Sequence, residues 1–332
     1  MKTDRSKKDV FSGDIFNTGV EGFTQQALAL FRFQYQHNHV YKSFAHSLGA
    51  NPGNVQTLRN IPFLPISFFK SQRVQTTTFE PEQIFESSGT TGMVSSKHHV
   101  KDLSIYEKSF RTGFERIYGR PSDWCVIGLL PSYLEREHSS LVYMVNDLVR
   151  QSGHADSGFY LHEFDKLADT LKRLEDEKQN TLLLGVTFAL LEFTEKFSFP
   201  LRHTVVMETG GMKGRRKELT RMELHEILQS AWDLPAVHSE YGMTELLSQA
   251  YSRSNGIFEP PPWMKLLLRE EDDPLATHEA GEGVLNIIDL ANIYSCAFIA
   301  TEDTGRLYPD GRFEVAGRMD YSDLRGCSLL VS

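Results

Sequence analysis

Apolar residues recur at helical spacing over residues 23–47 (Ala27, Leu28, Leu30, Phe31, Phe33). This predicts one long amphipathic helix, begun by Thr18 and Glu21 in capping-box spacing and closed by Gly49. Residues 61–69 are apolar but broken by Pro62 and Pro65, so they predict an extended connector or short turns that bury their aromatic rings. After this the rhythm alternates. Helical patterns over 105–118 (with Ser104 and Glu107 in capping-box spacing), 141–149, 165–177 and 217–229 are interleaved with short β-rich runs over 124–130, 159–162, 181–186 and 204–207. Such alternation predicts an α/β layered architecture around a largely parallel sheet. Beyond Phe258 the pattern becomes strand-like, with runs at 263–268, 284–288, 296–300 and 312–315 separated by Gly, Asp and Pro. The expected organisation is therefore an α/β part over 1–258 and a β-rich subdomain over 259–332, with Pro260, Pro261 and Pro262 as a rigid linker.

Composition narrows the function classes. The 35 Lys and Arg residues against 44 Asp and Glu leave a formal charge of -9, the wrong sign for a protein held to nucleic acid by phosphate neutralisation. Cys125, Cys296 and Cys327 are too few and too scattered for a disulfide framework or a zinc site, which fits a reducing compartment. The most apolar stretch, 181–193, is shorter than the roughly 20 residues needed to cross a bilayer. The charged, polar N-terminus does not read as a secretory signal. A cytoplasmic chain with no nucleic-acid partner and no membrane insertion is expected.

The run Phe85-Glu86-Ser87-Ser88-Gly89-Thr90-Thr91-Gly92 gathers hydroxyl groups and backbone N–H donors around two glycines, a composition suited to wrapping a polyphosphate. An isolated Ser/Gly/Thr cluster is more often a surface turn, and this run lacks the lysine spacing of a Walker A loop. No Gly-x-Ser-x-Gly elbow marks a serine hydrolase. The loop gains weight from four runs further along the chain: Glu208-Thr209-Gly210-Gly211, Tyr241-Gly242-Met243-Thr244-Glu245, Asp303-Thr304-Gly305-Arg306 and Gly317-Arg318-Met319-Asp320.

In order and residue type these motifs resemble the adenylate-forming superfamily of acyl-CoA synthetases, luciferases and adenylation domains. The runs at 61–65, 88–92 and 325–328 resemble its acyl-protein synthetase branch, the synthetase component of bacterial fatty-acid reductase complexes. The resemblance implies the α/β body of such an enzyme, with ATP and Mg²⁺ as cofactors. By that likeness Ser87, Ser88, Gly89, Thr90, Thr91 and Gly92 hold the β- and γ-phosphates. Gly210 and Gly211 let adenine lie against backbone with Tyr241, next to Gly242, stacking on it. Thr244 meets the α-phosphate, and Glu245 coordinates Mg²⁺. Asp303 accepts from the ribose hydroxyls, while Arg318 pairs with ribose or phosphate. His138 falls where the superfamily often has a histidine near the acyl pocket, and Cys327 matches a cysteine that receives the acyl group.

Two departures stand out. Met93, Val94, Ser95 and Ser96 separate the glycine-rich loop from Lys97, and the sequence runs only to Ser332, shortly after the Gly-Arg-x-Asp motif, so the superfamily's mobile C-terminal domain and its lysine are expected to be missing. Lys97, Arg325 or a group borrowed from a partner is expected to stand in for that charge, unless the chain binds nucleotide without catalysis. Cys125 reads as core, Cys327 equally as a small core residue or an acyl acceptor, and His98 and His99 as solvent-exposed. Phe63, Phe68 and Phe69 suit either an acyl tunnel or core packing. The expected function is ATP-dependent activation of a carboxylic acid of fatty type as acyl-adenylate, followed by transfer to a thiol of a carrier, of CoA, of a partner reductase or of Cys327. A nucleotide-binding subunit without adenylation and an acyltransferase using a preformed thioester are the alternatives.

Overall fold

The structure is a computed structural model that describes residues 11, 14–17, 19–87, 94–130, 138–161, 163–210 and 219–319. Its described helices are α1 (Val20–His37), α2 (His39–Ser47), α3 (Phe68–Ser71), α4 (Leu103–Tyr118), α5 (Ser140–Ser152), α6 (Phe164–Asp176), α7 (Thr187–Lys196) and α8 (Arg221–Trp232). The strands are β1 (Leu64–Pro65), β2 (Gln83–Glu86), β3 (Lys97–Val100), β4 (Cys125–Leu129), β5 (Gly158–Phe159), β6 (Thr181–Gly185), β7 (Thr204–Glu208), β8 (His238–Tyr241), β9 (Ala250–Ser252), β10 (Met264–Arg269), β11 (Thr277–His278), β12 (Gly281–Asp289), β13 (Phe298–Leu307) and β14 (Phe313–Arg318).

The first sheet has the order β5-β4-β6-β7-β8-β9 and is parallel up to β8, with β9 antiparallel at its edge. Every residue of β4 and β6 is buried, as expected of parallel strands covered on both faces, and this is why their sequences are unbroken apolar runs. Helices α5 to α8 make the crossovers. The chain leaves β4 towards β5 and leaves β6 towards β7, so the sheet's switch point lies between β4 and β6. Crevices beyond the carboxyl ends of such strands are where open α/β sheets bind ligands.

The second sheet runs β1-β13-β12-β10-β11, with β14 on the same edge of β13 as β1. Strand β1 comes from the chain's first quarter and pairs in parallel, Leu64 opposite Ile299 and Pro65 opposite Ala300. A bulge at Thr304/Gly305 sets the register that brings Arg318 opposite Asp303. Gly305 is required there, because a Cβ would sit 1.9 Å from the Glu314 carbonyl oxygen.

The single helix expected over 23–47 is two helices. Asn38 is extended, and its side chain accepts from Tyr41 N at 2.9 Å while donating to Thr76 Oγ1 and the Ser295 carbonyl. That competition ends α1 and caps α2. Gln34 is fully buried and bonds the carbonyls of Asn292 and Ile293 and the N–H of Ala297, which fastens α1 to the second sheet. Helix α4 is capped by Asp102 rather than by Ser104 with Glu107. Helix α8 starts later than expected, at a reciprocal Thr220–Glu223 capping box. Strand β5 is only two residues long, and 61–69 resolves into β1 and α3.

Candidate active site

Strands β7 and β8 end side by side, with Met207 opposite His238 and Glu208 opposite Ser239, so the runs Thr209-Gly210 and Tyr241-Gly242-Met243-Thr244-Glu245 leave the sheet at one edge. Tyr241 turns to the second sheet. Its ring lies among Phe258 and Phe313, and its hydroxyl donates to Asp303 Oδ2 at 2.8 Å. Asp303 Oδ1 accepts from Arg318 Nε at 3.2 Å. Burial, and then the Asp303 charge, push the Tyr241 phenol well above its ordinary range, so it is a donor at any working pH. Three residues from widely separated motifs thus form one hydrogen-bonded row where the two sheets meet.

The segment after Tyr241 is held from below by the second sheet. Asp289 is fully buried; its Oδ2 accepts from Leu247 N and Ser248 N, and its Oδ1 from Ser248 Oγ and Ala291 N. Asn292 Nδ2 donates to the Glu245 carbonyl at 2.8 Å, and His98 Nδ1 donates to the Thr244 carbonyl at 2.8 Å. These bonds fix the backbone of Thr244, which is half-buried, and of Glu245, whose side chain is 5% exposed. Burial raises the Glu245 carboxyl pKa, against the Ser96 hydroxyl bond and the charges of Arg318 and Lys70. A single buried carboxylate of this kind fits Mg²⁺, which is commonly held by one or two carboxylates plus substrate phosphates; among the described residues no group of three metal-ligating side chains exists.

The glycine-rich loop has its base here as well. Ser87 N donates to the Ser96 carbonyl at 3.1 Å, and Ser96 N donates to Ser87 Oγ at 2.9 Å, which closes the neck of the loop. His138 is exposed beside it: its carbonyl accepts from Glu86 N at 2.8 Å, and its Nδ1 is 3.5 Å from Gln83 Nε2. Gly210 and Gly242 are exposed at the sheet edge. A Cβ at Gly242 would come within 2.5 Å of Glu240 Oε1, so a side chain there would displace the Glu240 carboxyl. Ser88, Gly89, Thr90, Thr91, Gly92, Gly211, Arg325 and Cys327 lie outside the described residues. Lys97 is spoken for by Glu86, at 3.3 Å.

The expectation of two solvated histidines is corrected: His99 is half-buried and His98 is 1% exposed, where burial, against the bond to Thr244, lowers its pKa to about 4. It is a neutral strut, not a surface residue. The aromatic trio resolves towards packing: Phe69 meets the His98 ring at 5.8 Å, Phe63 meets Phe298, and Phe68 meets Phe44. Cys125 is core as expected, its thiol pushed up to about 11 by burial, and Cys296 is likewise buried with its thiol near 12.

Several residues escaped the motif reading. On the face of β8 opposite Tyr241, Glu240 is buried, accepts from Thr209 Oγ1 at 2.5 Å, and has its carboxyl raised by burial to about 7. Burial also pushes on nearby Glu208, but there the bond from His225 and the charge of Arg221 outweigh it and hold the carboxyl below the ordinary range. Alternation along β8 could have assigned Glu240 to the other face. Nothing local in the sequence identifies Asp289 or Asn292 as the supports of a loop some 45 residues earlier.

Residues 15–332 match the profile of a family described as acyl-protein synthetase, LuxE. The chain belongs to the LuxE acyl-protein synthetase family. As a LuxE protein it is an enzyme, an AMP-forming acid–thiol ligase of acyl-protein synthetase type, and the resemblance read from its motifs holds. A curated relative, the long-chain-fatty-acid–luciferin-component ligase of Aliivibrio fischeri, is 24% identical over 91% of this chain and 85% of its own length. Among solved structures, an open conformation of 2-hydroxyisobutyryl-CoA ligase in complex with 2-HIB-AMP and CoA aligns with a TM-score of 0.62 at 11% identity, over 90% of this chain and 75% of that one. ATP-bound MatB from Rhodopseudomonas palustris aligns with a TM-score of 0.52 at 18% identity, over 83% of this chain and 56% of that one. The LuxE chain therefore has the fold of adenylate-forming ligases, which are enzymes that use ATP. Among its described residues no helix is long and apolar enough to cross a membrane.

Proposed function

We propose that the protein activates a fatty-type carboxylic acid with ATP, forming an acyl-adenylate and pyrophosphate, and then passes the acyl group to a thiol. The observation that carries this reading is the convergence of Tyr241, Asp303 and Arg318 with the Thr244–Glu245 segment and the Ser87–Ser96 neck at one sheet edge. In this reading Asp303, oriented by the Tyr241 hydroxyl and the Arg318 guanidinium, accepts from ribose hydroxyls. The glycine-rich loop wraps the phosphates with backbone N–H groups. Glu245 would hold Mg²⁺, which when bound neutralises phosphate charge. His98, Asp289 and Asn292 keep the Thr244–Glu245 backbone fixed, so that binding need not order it.

A carboxylate oxygen of the acid attacks the α-phosphorus, the bond from that phosphorus to the bridging oxygen breaks, and pyrophosphate departs with the electron pair. The thiolate of the acceptor then attacks the acyl carbon and AMP leaves. The fatty character of the acid is supported by the Aliivibrio relative's named substrate class, and Cys327 is the candidate acceptor within the chain. Mass spectrometry of protein incubated with ATP and a panel of acids tests both steps. Acyl-AMP in the supernatant is expected, with an acyl adduct on the intact chain that Cys327→Ser abolishes. Nucleotide binding without acyl-AMP would favour a binding subunit, and an adduct formed from a preformed thioester without ATP would favour an acyltransferase.

A further inference from the structure

In the run 61–71, Ile-Pro-Phe-Leu-Pro-Ile-Ser-Phe-Phe-Lys-Ser, a single charged residue, Lys70, interrupts an otherwise apolar and small-residue segment. The fold explains the apolar residues around it. Strand β1 pairs with β13, Ile66 N donates to the Ala300 carbonyl at 3.0 Å, and Phe69 is buried against the His98 ring. Lys70 has no comparable structural use. It is exposed, and no described carboxylate lies within 4 Å of its ammonium.

Its location is not arbitrary. Strand β1 runs parallel to β13 and occupies the same edge as β14, so the end of β1 and the end of β14 approach each other along that edge. Pro65 is opposite Ala300 and Arg318 is opposite Asp303, three residues or about 10 Å apart along the strand. The chain leaving β1 therefore heads along that edge towards Asp303 and Arg318. Helix α3 then packs on β3 through Phe69 and His98, and His98 in turn holds the Thr244 carbonyl. Successive helical residues point about 100° apart, so with Phe69 buried Lys70 points away from the core. The Lys70 charge is felt by the buried Glu245 carboxyl, which also bonds Ser96 at the neck of the glycine-rich loop.

We propose that Lys70 is a further substrate-contacting cation of this site, its ammonium meeting the β- and γ-phosphates of the nucleotide. The inference rests on the adenylation reading above. When the bond between the α-phosphorus and the bridging oxygen breaks, negative charge accumulates on the departing pyrophosphate, and a fixed ammonium there stabilises it. Exposure in the free protein is what such a role requires, since a lysine already paired would have to break that pair to bind.

The test compares Lys70→Ala and Lys70→Arg with wild type in the full chain, measuring binding of ATP and of AMP by titration calorimetry and acid-dependent ATP–pyrophosphate exchange. For Lys70→Ala we expect affinity for ATP to fall by about 10-fold or more with affinity for AMP unchanged, and exchange to fall by about 100-fold. Lys70→Arg should recover most of both, and the melting temperature should not move, as for an exposed side chain. Equal loss for ATP and AMP, or no loss for either, overturns the proposal; if Lys70→Ala misfolds, the ATP-to-AMP contrast in Lys70→Gln decides, with Lys70→Arg as the recovering control. Should wild type show no exchange with any acid, the adenylation reading fails on its own, while the ATP-to-AMP contrast still tests the phosphate contact.

Discussion

The two sheets solve opposite problems. In the first, the middle of each central strand is apolar (Val126 and Ile127, Leu182 to Leu184, Val206 and Met207), and the chemistry-bearing residues sit where strands end. In the second, polar groups are buried within and beside the strands: Arg269, Asn286, Asp289, Asn292, Thr301 and Asp303. Arg269, for example, bonds the carbonyls of Leu285 and Thr301 and the Asn286 side chain. The first sheet supplies stability that is indifferent to direction. The second supplies directional bonds that fix the segment carrying Glu245, at the desolvation cost that buried polar groups carry. A site built at the seam takes its shelter from one and its precision from the other.

Breaking one partner on each side should separate these contributions. Asp289→Ala strands three backbone N–H groups and a hydroxyl in the core, for a loss on the order of 4 kcal/mol, and should also abolish adenylation in whatever fraction still folds. Leu183→Ala, at a fully buried position of β6, should cost about 3 kcal/mol yet leave the activity of the folded fraction intact. Urea unfolding followed by assay of folded protein checks both; activity surviving Asp289→Ala would break the contrast.

The pH dependence sharpens it further. His98 titrates near 4 in the fold against 6.5 when unfolded, so the unfolded chain binds more protons between those values and His98's contribution is lost as pH falls through that window. Glu240 does the reverse: at about 7 folded against 4.5 unfolded, its protonated form is favoured by the fold, and stability is lost as pH rises from 4.5 to 7. Each is worth on the order of 3 kcal/mol at full amplitude. Glu240→Gln should therefore be more stable than wild type at pH 8 and not at pH 4, whereas any advantage of wild type over His98→Asn should shrink from pH 7 to pH 4. Denaturation curves at both ends of the range read the signs directly. The smallest effect expected is that of Tyr241→Phe, which removes one hydrogen bond to a carboxylate, about 2 kcal/mol, and should raise the KM for ATP more than it lowers kcat.

Much of this was legible in the sequence, for identifiable reasons. Strands β4, β6 and β7 announced themselves because burial on both faces demands unbroken apolar runs, and the site motifs because tight backbone approach demands glycine beside a few polar types. Asn38 was not legible as a helix break, since its reason for being extended is a bond to Ser295, far along the chain. His98 looked like a surface residue because its partner, the Thr244 carbonyl, belongs to another motif. No motif marks Asp289, and only the packing of β12 beneath the Glu245 segment reveals its four bonds. Short-range patterns encode elements and candidate-site motifs; the supports of the Thr244–Glu245 segment are long-range pairings that single residues do not advertise.

Acid-dependent exchange of labelled pyrophosphate into ATP decides whether the seam between the two sheets is a working adenylation site. We expect exchange with ATP and Mg²⁺ that requires a carboxylic acid, is strongest for long-chain fatty acids, and disappears in Glu245→Ala and Asp303→Ala. Absence of acid-dependent exchange in wild type, with candidate acceptor partners also present, or exchange undiminished by both substitutions, would contradict it.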